Sequence, residues 1–519
     1  MPWDDELAEL QRRHALAAAM GGEEAVARQH ATGRSTVRER LDALLDPGSF
    51  REVGALTGRA TYDESGDLTE FVPANFLTGT GRLDGRRVTV AADDFTVRGG
   101  AADAAIVEKQ VYAERMAHDL RLPMIRLVDG TGGGGSVKSL EDFGRTYVPF
   151  NPAWDYVVGN LATMPVVAAA LGPVAGLGAA RLVTSHFSVM LRNAAQVFVA
   201  GPAVVEAGMG EVVDKESLGG WEVAVRSGAV DNVVDSEAEA FDDLRRFLSY
   251  LPASVFELPP VSGSDDDPGR TDAELRTIVP RNRRHPYDMR AVLGSVFDLG
   301  SVFEIGAERG SSVITALATL DGHPVGVLAE DPNIYGGGMT APDADVMTRF
   351  IDLADTFHLP VVHLVDQPGF VIGSKAEQAG TIRRGARALA AVYQSTVPWA
   401  SVLVRRVFGV AGAGHRNHAR HGFRVAWPSG DWGSLPIEGG LEVAFKRLLA
   451  DAADAEALKA EITQRLEAVR SPFRTAEAFL VEDIIDPAET RPRLCEWVRD
   501  AYAVLAGTPL GPKGRGLRP

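Results

Sequence analysis

Leu122-Pro-Met-Ile-Arg-Leu-Val-Asp129 returns later in the chain as Leu359-Pro-Val-Val-His-Leu-Val-Asp366. Positions 129 and 366 differ by 237, and two further landmarks keep that spacing. Leu83-Asp-Gly85 comes back as Leu320-Asp-Gly322, and Gly99-Gly100 as Gly336-Gly337. Each octapeptide is an apolar, β-prone run that stops on a carboxylate. Around the first copy, β-rich Val88-Thr-Val-Ala91 and a helical pattern over 101–120 alternate with it, as in β-α-β units with a buried, largely parallel sheet. A constant offset across separate landmarks means two copies of one α/β unit, each about 240 residues long, and not the many short units of a solenoid.

The boundaries follow from where breakers and charge collect. A first domain is expected over 1–257 and a second over 276–506. Between them 258–275 reads as a linker, because Leu258-Pro-Pro-Val-Ser-Gly-Ser-Asp-Asp-Asp-Pro-Gly269 is polar and full of turn formers. Residues 507–519 read as a flexible tail. At the start, 4–29 has a helical pattern, and Thr36-Val-Arg-Glu39 matches a capping box ahead of Leu41, Leu44 and Leu45.

Two glycine corners stand out within the copies. Gly172-Pro-Val-Ala-Gly-Leu-Gly178 follows the apolar run 164–171, and Gly409-Val-Ala-Gly-Ala-Gly414 follows 400–404. Glycine just past a strand lets backbone amides approach a ligand with no Cβ in the way. The first amides of a helix starting there have no intrahelical acceptor and face any anion in front of them. Aligned on their glycines, the corners pair Gly176-Leu177 with Gly412-Ala413, and two sites for developing negative charge are expected.

Composition narrows the alternatives. A net charge of −17 on 519 residues lacks the basic footprint of a general nucleic-acid binder. One cysteine, Cys495, rules out internal disulfides and cysteine-rich zinc sites. With no signal-like start and no apolar run of membrane-spanning length, the expected location is cytoplasmic, off the membrane. Gly130-Thr-Gly-Gly-Gly-Gly135 contains GxGxxG, but a run of glycines satisfies many patterns, and Lys138-Ser139 falls too late for a P-loop. It reads as either a mobile loop or the lip of a site. His415, His418 and His421 lie among Arg416, Arg420 and Arg424. That company disfavours a metal and leaves a solvated face or a basic surface for an anion. A GxSxG nucleophile elbow is absent.

Taken together, the landmarks resemble the carboxyltransferase (β) subunits of biotin-dependent acyl-CoA carboxylases, of the propionyl-CoA and methylcrotonyl-CoA type. The motifs are Arg28-Gln-His-Ala-Thr-Gly33, Arg38-Glu-Arg-Leu41, Leu45-Asp-Pro-Gly-Ser-Phe50, Asp94-Phe-Thr-Val-Arg-Gly-Gly100, Tyr287-Asp-Met-Arg290, Val365-Asp-Gln-Pro-Gly-Phe370, Gly380-Thr-Ile-Arg-Arg-Gly-Ala386 and Ala426-Trp-Pro428. The resemblance implies two tandem crotonase-like domains, related by internal duplication, that move a carboxyl group from carboxybiotin to the α-carbon of an acyl-CoA. It implies an oxyanion hole at Gly176 and Leu177 for the thioester oxygen and another at Gly412 and Ala413 for the biotin oxygen. Arg98, Gly99, Gly100, Gly132, Gly133, Gly336, Gly337, Gly369 and His415 are the implied substrate-binding residues, with no metal bound.

The same resemblance implies a biotin carboxylase/biotin carboxyl carrier partner, since the chain lacks a biotinyl-lysine motif and an ATP-grasp module, and a homo-hexamer. Three features depart from the pattern: Leu177 replaces a second glycine, Thr184-Ser-His-Phe187 replaces a Ser-Pro-Ala start, and the 130–135 loop lacks an arginine. They leave the acyl group open, along with two alternatives: a biotin-dependent decarboxylase or transcarboxylase on a malonyl-type CoA, and a non-catalytic homologue.

Overall fold

A computed structural model describes residues 3–101, 104–130, 140–141, 144–417 and 422–514. The chain forms two compact units, the first built on residues up to Glu257 and the second on Leu258–Lys513. The first unit contains β1 (Arg51–Glu52), β2 (Gly58–Tyr62), β3 (Leu68–Pro73), β4 (Phe76–Leu83), β5 (Arg86–Asp93), β6 (Met124–Gly130), β7 (Val166–Ala175), β8 (Phe187–Leu191), β9 (Gln196–Phe198) and β10 (Asn232–Val234). The second contains β11 (Phe303–Ile305), β12 (Val313–Leu320), β13 (His323–Glu330), β14 (Val361–Gln367), β15 (Trp399–Phe408), β16 (Phe423–Ala426), β17 (Asp431–Gly433) and β18 (Asp483–Ile484).

The duplication is visible strand by strand. The first sheet runs β1-β4-β5-β6-β7-β8-β10 with β9 alongside β7, and the second runs β11-β12-β13-β14-β15-β16-β18 with β17 alongside β15. In both, the first two pairings are antiparallel and the rest parallel. Asp84-Gly85 (φ 50° and 78°) and Asp321-Gly322 (φ 49° and 74°) close the same two-residue hairpin, the type that needs positive φ at both positions. The register shifts between Val128 and Gly130 in one unit and between Val365 and Gln367 in the other.

One shift breaks the constant offset. Met124 pairs with Val166 and Val361 with Trp399. Strands β6 and β14 are therefore 237 apart, whereas β7 and β15 are 233 apart. The connection into β15 is four residues shorter.

Apolar residues on the strands explain the layering. In the first unit Phe76, Ala91, Met124 and Val166 pack with Ala113 and Ala117 of the helix Val107–Leu120. In the second, Ala316, Val327, Leu364 and Val402 pack with Leu494, Val498 and Ala501 of the helix Thr490–Ala506. Cys495 is buried in that same core. Helix 101–120 begins only at Val107, and the 4–29 pattern forms two helices, Asp4–Ala18 and Glu23–Ala31, broken where Met20 and Gly22 take positive φ.

Each unit buries a carboxylate at the end of its central strand. Asp129 is fully buried and pairs with Arg34 and, at 2.7 Å, with Arg40 Nη1. The expected capping box forms, with Glu39 Oε2 accepting the Thr36 N–H at 2.7 Å. It starts the short helix that carries Arg40 inward.

Asp366 is likewise buried and pairs with Arg405 (2.8 Å), Arg406 (2.7 Å) and the Tyr287 hydroxyl (3.1 Å). Burial alone would raise the Asp366 carboxyl, but Arg406 and Arg405 outweigh it and hold the group below the ordinary range. The two units reach this pairing differently. Gly172 occupies in β7 the register position of Arg405 in β15, and a Cβ at Gly172 would collide with the Arg34 guanidinium and Asp129. Where the second strand supplies its own arginine, the first leaves a gap that Arg34 fills.

The segment 258–275 is fastened to the second unit. Ser262 N–H donates to Gly322 O at 3.0 Å, and Arg491 Nη2 donates to Asp266 O at 3.1 Å. Lys513 Nζ, within the expected tail, donates to Thr396 Oγ1 at 2.6 Å.

Asp366→Asn would leave one buried and one partly buried guanidinium without their anion. The expected loss is about 3–5 kcal/mol, read as a lower urea midpoint. Asp486→Asn, which removes a solvent-screened partner of Arg276, is expected to leave the urea midpoint nearly unchanged.

Candidate active site

The first glycine corner lies where β7 ends. Gly176 has φ 58° and ψ −121°, a conformation open essentially to glycine. Its own N–H donates to Phe198 O at 3.3 Å, and its carbonyl accepts the first bond of the helix Leu177–Val183, from Ala180 N–H at 3.0 Å. The amides of Leu177, Gly178 and Ala179 precede that bond and have no intrahelical acceptor. Gly176 therefore shapes the corner, and Leu177 is its first outward donor. Both residues are exposed, Leu177 at 45%. Arg98, Gly99 and Gly100 form a turn with three consecutive positive φ values. Gly100 lies so close to the Asp129 carbonyl that no side chain would fit, which seats this turn on the end of β6.

Strand register relocates the second corner. Val174 and Ala175 pair with Val197 and Phe198, and Val407 and Phe408 pair with Trp432 and Gly433. The register counterpart of Gly176-Leu177 is thus Gly409-Val410 and not Gly412-Ala413. In the helix Gly409–Ala413 the amides of 409–411 form the open first turn, while 412 and 413 are placed to bond back to carbonyls 408 and 409. Gly409 has φ 62°, and Gly409 and Val410 are exposed as Gly176 and Leu177 are; Gly412 is buried against Val407. Matching the glycines placed the corner three residues too far along, because the shorter connection into β15 is invisible in the repeat spacing.

The remaining expected residues divide. Gly336 and Gly337 repeat the turn of Gly99 and Gly100, with Gly337 against the Asp366 carbonyl and Gly336 beside Arg406. Gly369 faces the Phe408 carbonyl, so it also lies at the second corner. Beside it, Gln367 is buried, its Oε1 accepting the Gly369 N–H at 2.9 Å and its Nε2 without a partner among the described residues. This donor was missed in the sequence, where only its place after a repeated aspartate could have marked it.

Gly132, Gly133, His418 and His421 lie outside the described residues. His415 does not present a cation. Its Nδ1 bonds the Gly412 carbonyl at 2.8 Å, and burial lowers its pKa to about 4. Arg416 and Arg424 both pair with the one carboxylate of Glu482, at 2.8 and 2.9 Å, so neither is a free cation for a ligand.

A cavity of about 90 Å³ opens beside the first corner, between the helix Val107–Leu120, the segment 150–157 and the helix Leu177–Val183. Among the described residues no cluster of His, Cys, Asp and Glu could hold a metal, and no helix is long and apolar enough to cross a membrane.

Residues 28–503 match the carboxyl transferase domain model. The chain belongs to the carboxyl transferase family. It is 33% identical to the carboxyltransferase subunit of propionyl-CoA carboxylase from Haloferax mediterranei, over 95% of each chain. It is 32% identical to the methylmalonyl-CoA carboxyltransferase 12S subunit of Propionibacterium freudenreichii, over 94% of this chain and 92% of the relative. Among solved structures, transcarboxylase 12S, a hexamer assembly crystallised with methylmalonyl-CoA and methylmalonic acid, superposes with a TM-score of 0.86 at 32% identity, covering 96% of this chain and 95% of that one. The expected pair of crotonase-like domains is thereby established. Membership makes this chain a carboxyltransferase of the biotin-dependent acyl-CoA carboxylase type.

A histidine held neutral when folded stabilises fully above its unfolded pKa, about 6.5, and loses that contribution as pH falls through about 4. His415→Gln is therefore expected to flatten the fall in melting temperature between pH 6.5 and 4 relative to the unsubstituted protein.

Proposed function

We propose that this chain moves a carboxyl group between carboxybiotin on a partner carrier protein and the α-carbon of an acyl-CoA, with carboxylation of the acyl-CoA the forward direction. The observation that carries this reading is the repeated corner: at the same register of β7 and β15, an exposed glycine with positive φ begins a helix whose first amides have no internal acceptor. Loss of the α-proton puts charge on the thioester oxygen, and the amides of Leu177 and Gly178 are the donors for it. Biotin on a docked carrier would supply the activated carboxyl group and, at the ring nitrogen that group vacates, the acceptor for the α-proton; charge developing on its ureido oxygen would be the second anion. The amides of Val410 and Ala411 are the donors there, with Gln367 Nε2 as a further one beside Gly369. Arg98 and the Gly99-Gly100 and Gly336-Gly337 turns form the lips of the two sites. Gln367 fits this role because a buried amide N–H without a partner is costly unless a ligand accepts from it.

Fixed backbone donors suit the chemistry, since they need no reorganisation as charge develops. By analogy with the hexameric transcarboxylase 12S, the working form is a homo-hexamer that receives a biotin carrier. A second reading, decarboxylation or transcarboxylation of a malonyl-type CoA, is favoured by relatives of equal similarity: the methylmalonyl-CoA decarboxylase α subunit of Veillonella parvula is also 32% identical. Fixation of labelled bicarbonate with ATP and the carrier partner, set against CO2 release from methylmalonyl-CoA, separates the two.

Leu177→Pro tests the donor itself. Leu177 is the first residue of its helix, the one helical position where proline fits and where it removes only an N–H that has no internal acceptor. The expected result is a kcat lower by about 10²–10³-fold with little change in melting temperature. Leu177→Ala keeps the amide and is expected to keep kcat on its preferred substrate.

A further inference from the structure

We infer that the cavity beside Leu177 receives the acyl chain beyond the α-carbon, and that the Leu177 side chain limits it to short, uncharged alkyl groups. This rests on the reading of Leu177 as a thioester-oxygen donor and adds to it the class of substrate. One residue ties the two features together: the backbone of Leu177 is the first outward donor of the corner, and its side chain lines the cavity. A thioester oxygen bonded to that amide would bring the acyl chain beside the cavity that the same residue lines.

The walls are apolar, from Val107, Val111, Phe150, Trp154 and Val157. Gln110 and Asn151 add only neutral amides. Of the two charged residues, Glu114 is fully hydrogen-bonded and Arg181 already has a carboxylate beside it. Glu114 is bonded by both Arg126 Nε (2.9 Å) and Nη2 (2.8 Å) and by Asn160 (3.1 Å), and Arg181 lies 3.7 Å from Asp93. Nothing remains to neutralise a carboxylate at the far end of an acyl chain, so a dicarboxylic acyl group would be rejected there. Size gives the second limit. An enclosed cavity of about 150 Å³ holds a benzene ring; this recess is about 90 Å³ and open on one side, so it covers a few methyl and methylene groups and leaves the rest of a longer chain in water. Leu177 and Phe150 stand 45% and 82% exposed, and a bound alkyl chain would cover apolar surface that is otherwise in water.

The test is calorimetric titration of the full chain with free CoA and with acetyl-, propionyl-, butyryl-, hexanoyl- and succinyl-CoA. Affinity is expected to rise about fourfold for each added methylene up to butyryl-CoA, then level off for hexanoyl-CoA and fall for succinyl-CoA. Leu177→Ala is expected to move the length at which the rise stops upward by one or two carbons, and Val111→Phe, which narrows the cavity from the opposite wall, to move it downward, with affinity for free CoA unchanged in both. An unmoved chain-length profile in both variants, with thioesters still bound, would overturn the inference. Absence of saturable heat with every thioester and with CoA would instead overturn the acyl-CoA assignment on which it rests.

Discussion

In each half of the molecule, a carboxylate without access to water is held by two arginines at the carboxyl end of the central parallel strand. Such a group is tolerable only when its charge is paired, because an isolated buried charge costs far more than any single contact returns. Its position governs what lies around it. The N–H of Asp129 bonds Asp93 at 3.2 Å and the N–H of Asp366 bonds Glu330 at 2.8 Å, which ties the strand ends together where the register shifts. The Gly99-Gly100 and Gly336-Gly337 turns then pack on the carbonyls of the same two aspartates. The glycine corners emerge from the neighbouring strands, β7 and β15, so the geometry of each candidate oxyanion site is tied to a charge cluster at the end of the adjacent strand.

The fold was legible because its evidence is repetitive. An apolar run ending in aspartate, an Asp-Gly hairpin and a double glycine, all at one spacing, admit few explanations other than duplication, and the matched strand orders follow from it. Thr36 and Glu39 were readable for a different reason: a capping box is a local interaction whose partners lie three residues apart.

The second corner was misread for an equally physical reason. Gly409-Val-Ala-Gly-Ala-Gly414 holds two glycine steps of similar appearance, and only hydrogen-bond register shows which of them meets the end of the strand. A loop shortened by four residues leaves no composition signal. His415 misled through its neighbours, because three nearby arginines suggest a basic surface when two of them share Glu482 from a distant part of the chain. The pairing of Arg34 with Asp129 was hidden too, since an empty space above Gly172 cannot be inferred from the glycine alone. Residue types were mostly visible in the sequence; the distant partners that set their charge and direction were not.

The two ways of supplying arginine to a buried aspartate bear on how each half comes together. Arg34 and Arg40 are 95 and 89 residues from Asp129, whereas Arg405 and Arg406 are 39 and 40 from Asp366. Closing the longer loop costs only about 0.8 kcal/mol more chain entropy, so the difference lies less in stability than in dependence. During synthesis the leading segment must wait, cations unmet, until β6 has left the ribosome, while the later half acquires its arginines from the very next strand of its sheet. The carboxyl-terminal copy draws its counter-ions from its own sheet, and the amino-terminal copy relies on an arm that removal of residues 1–40 would delete.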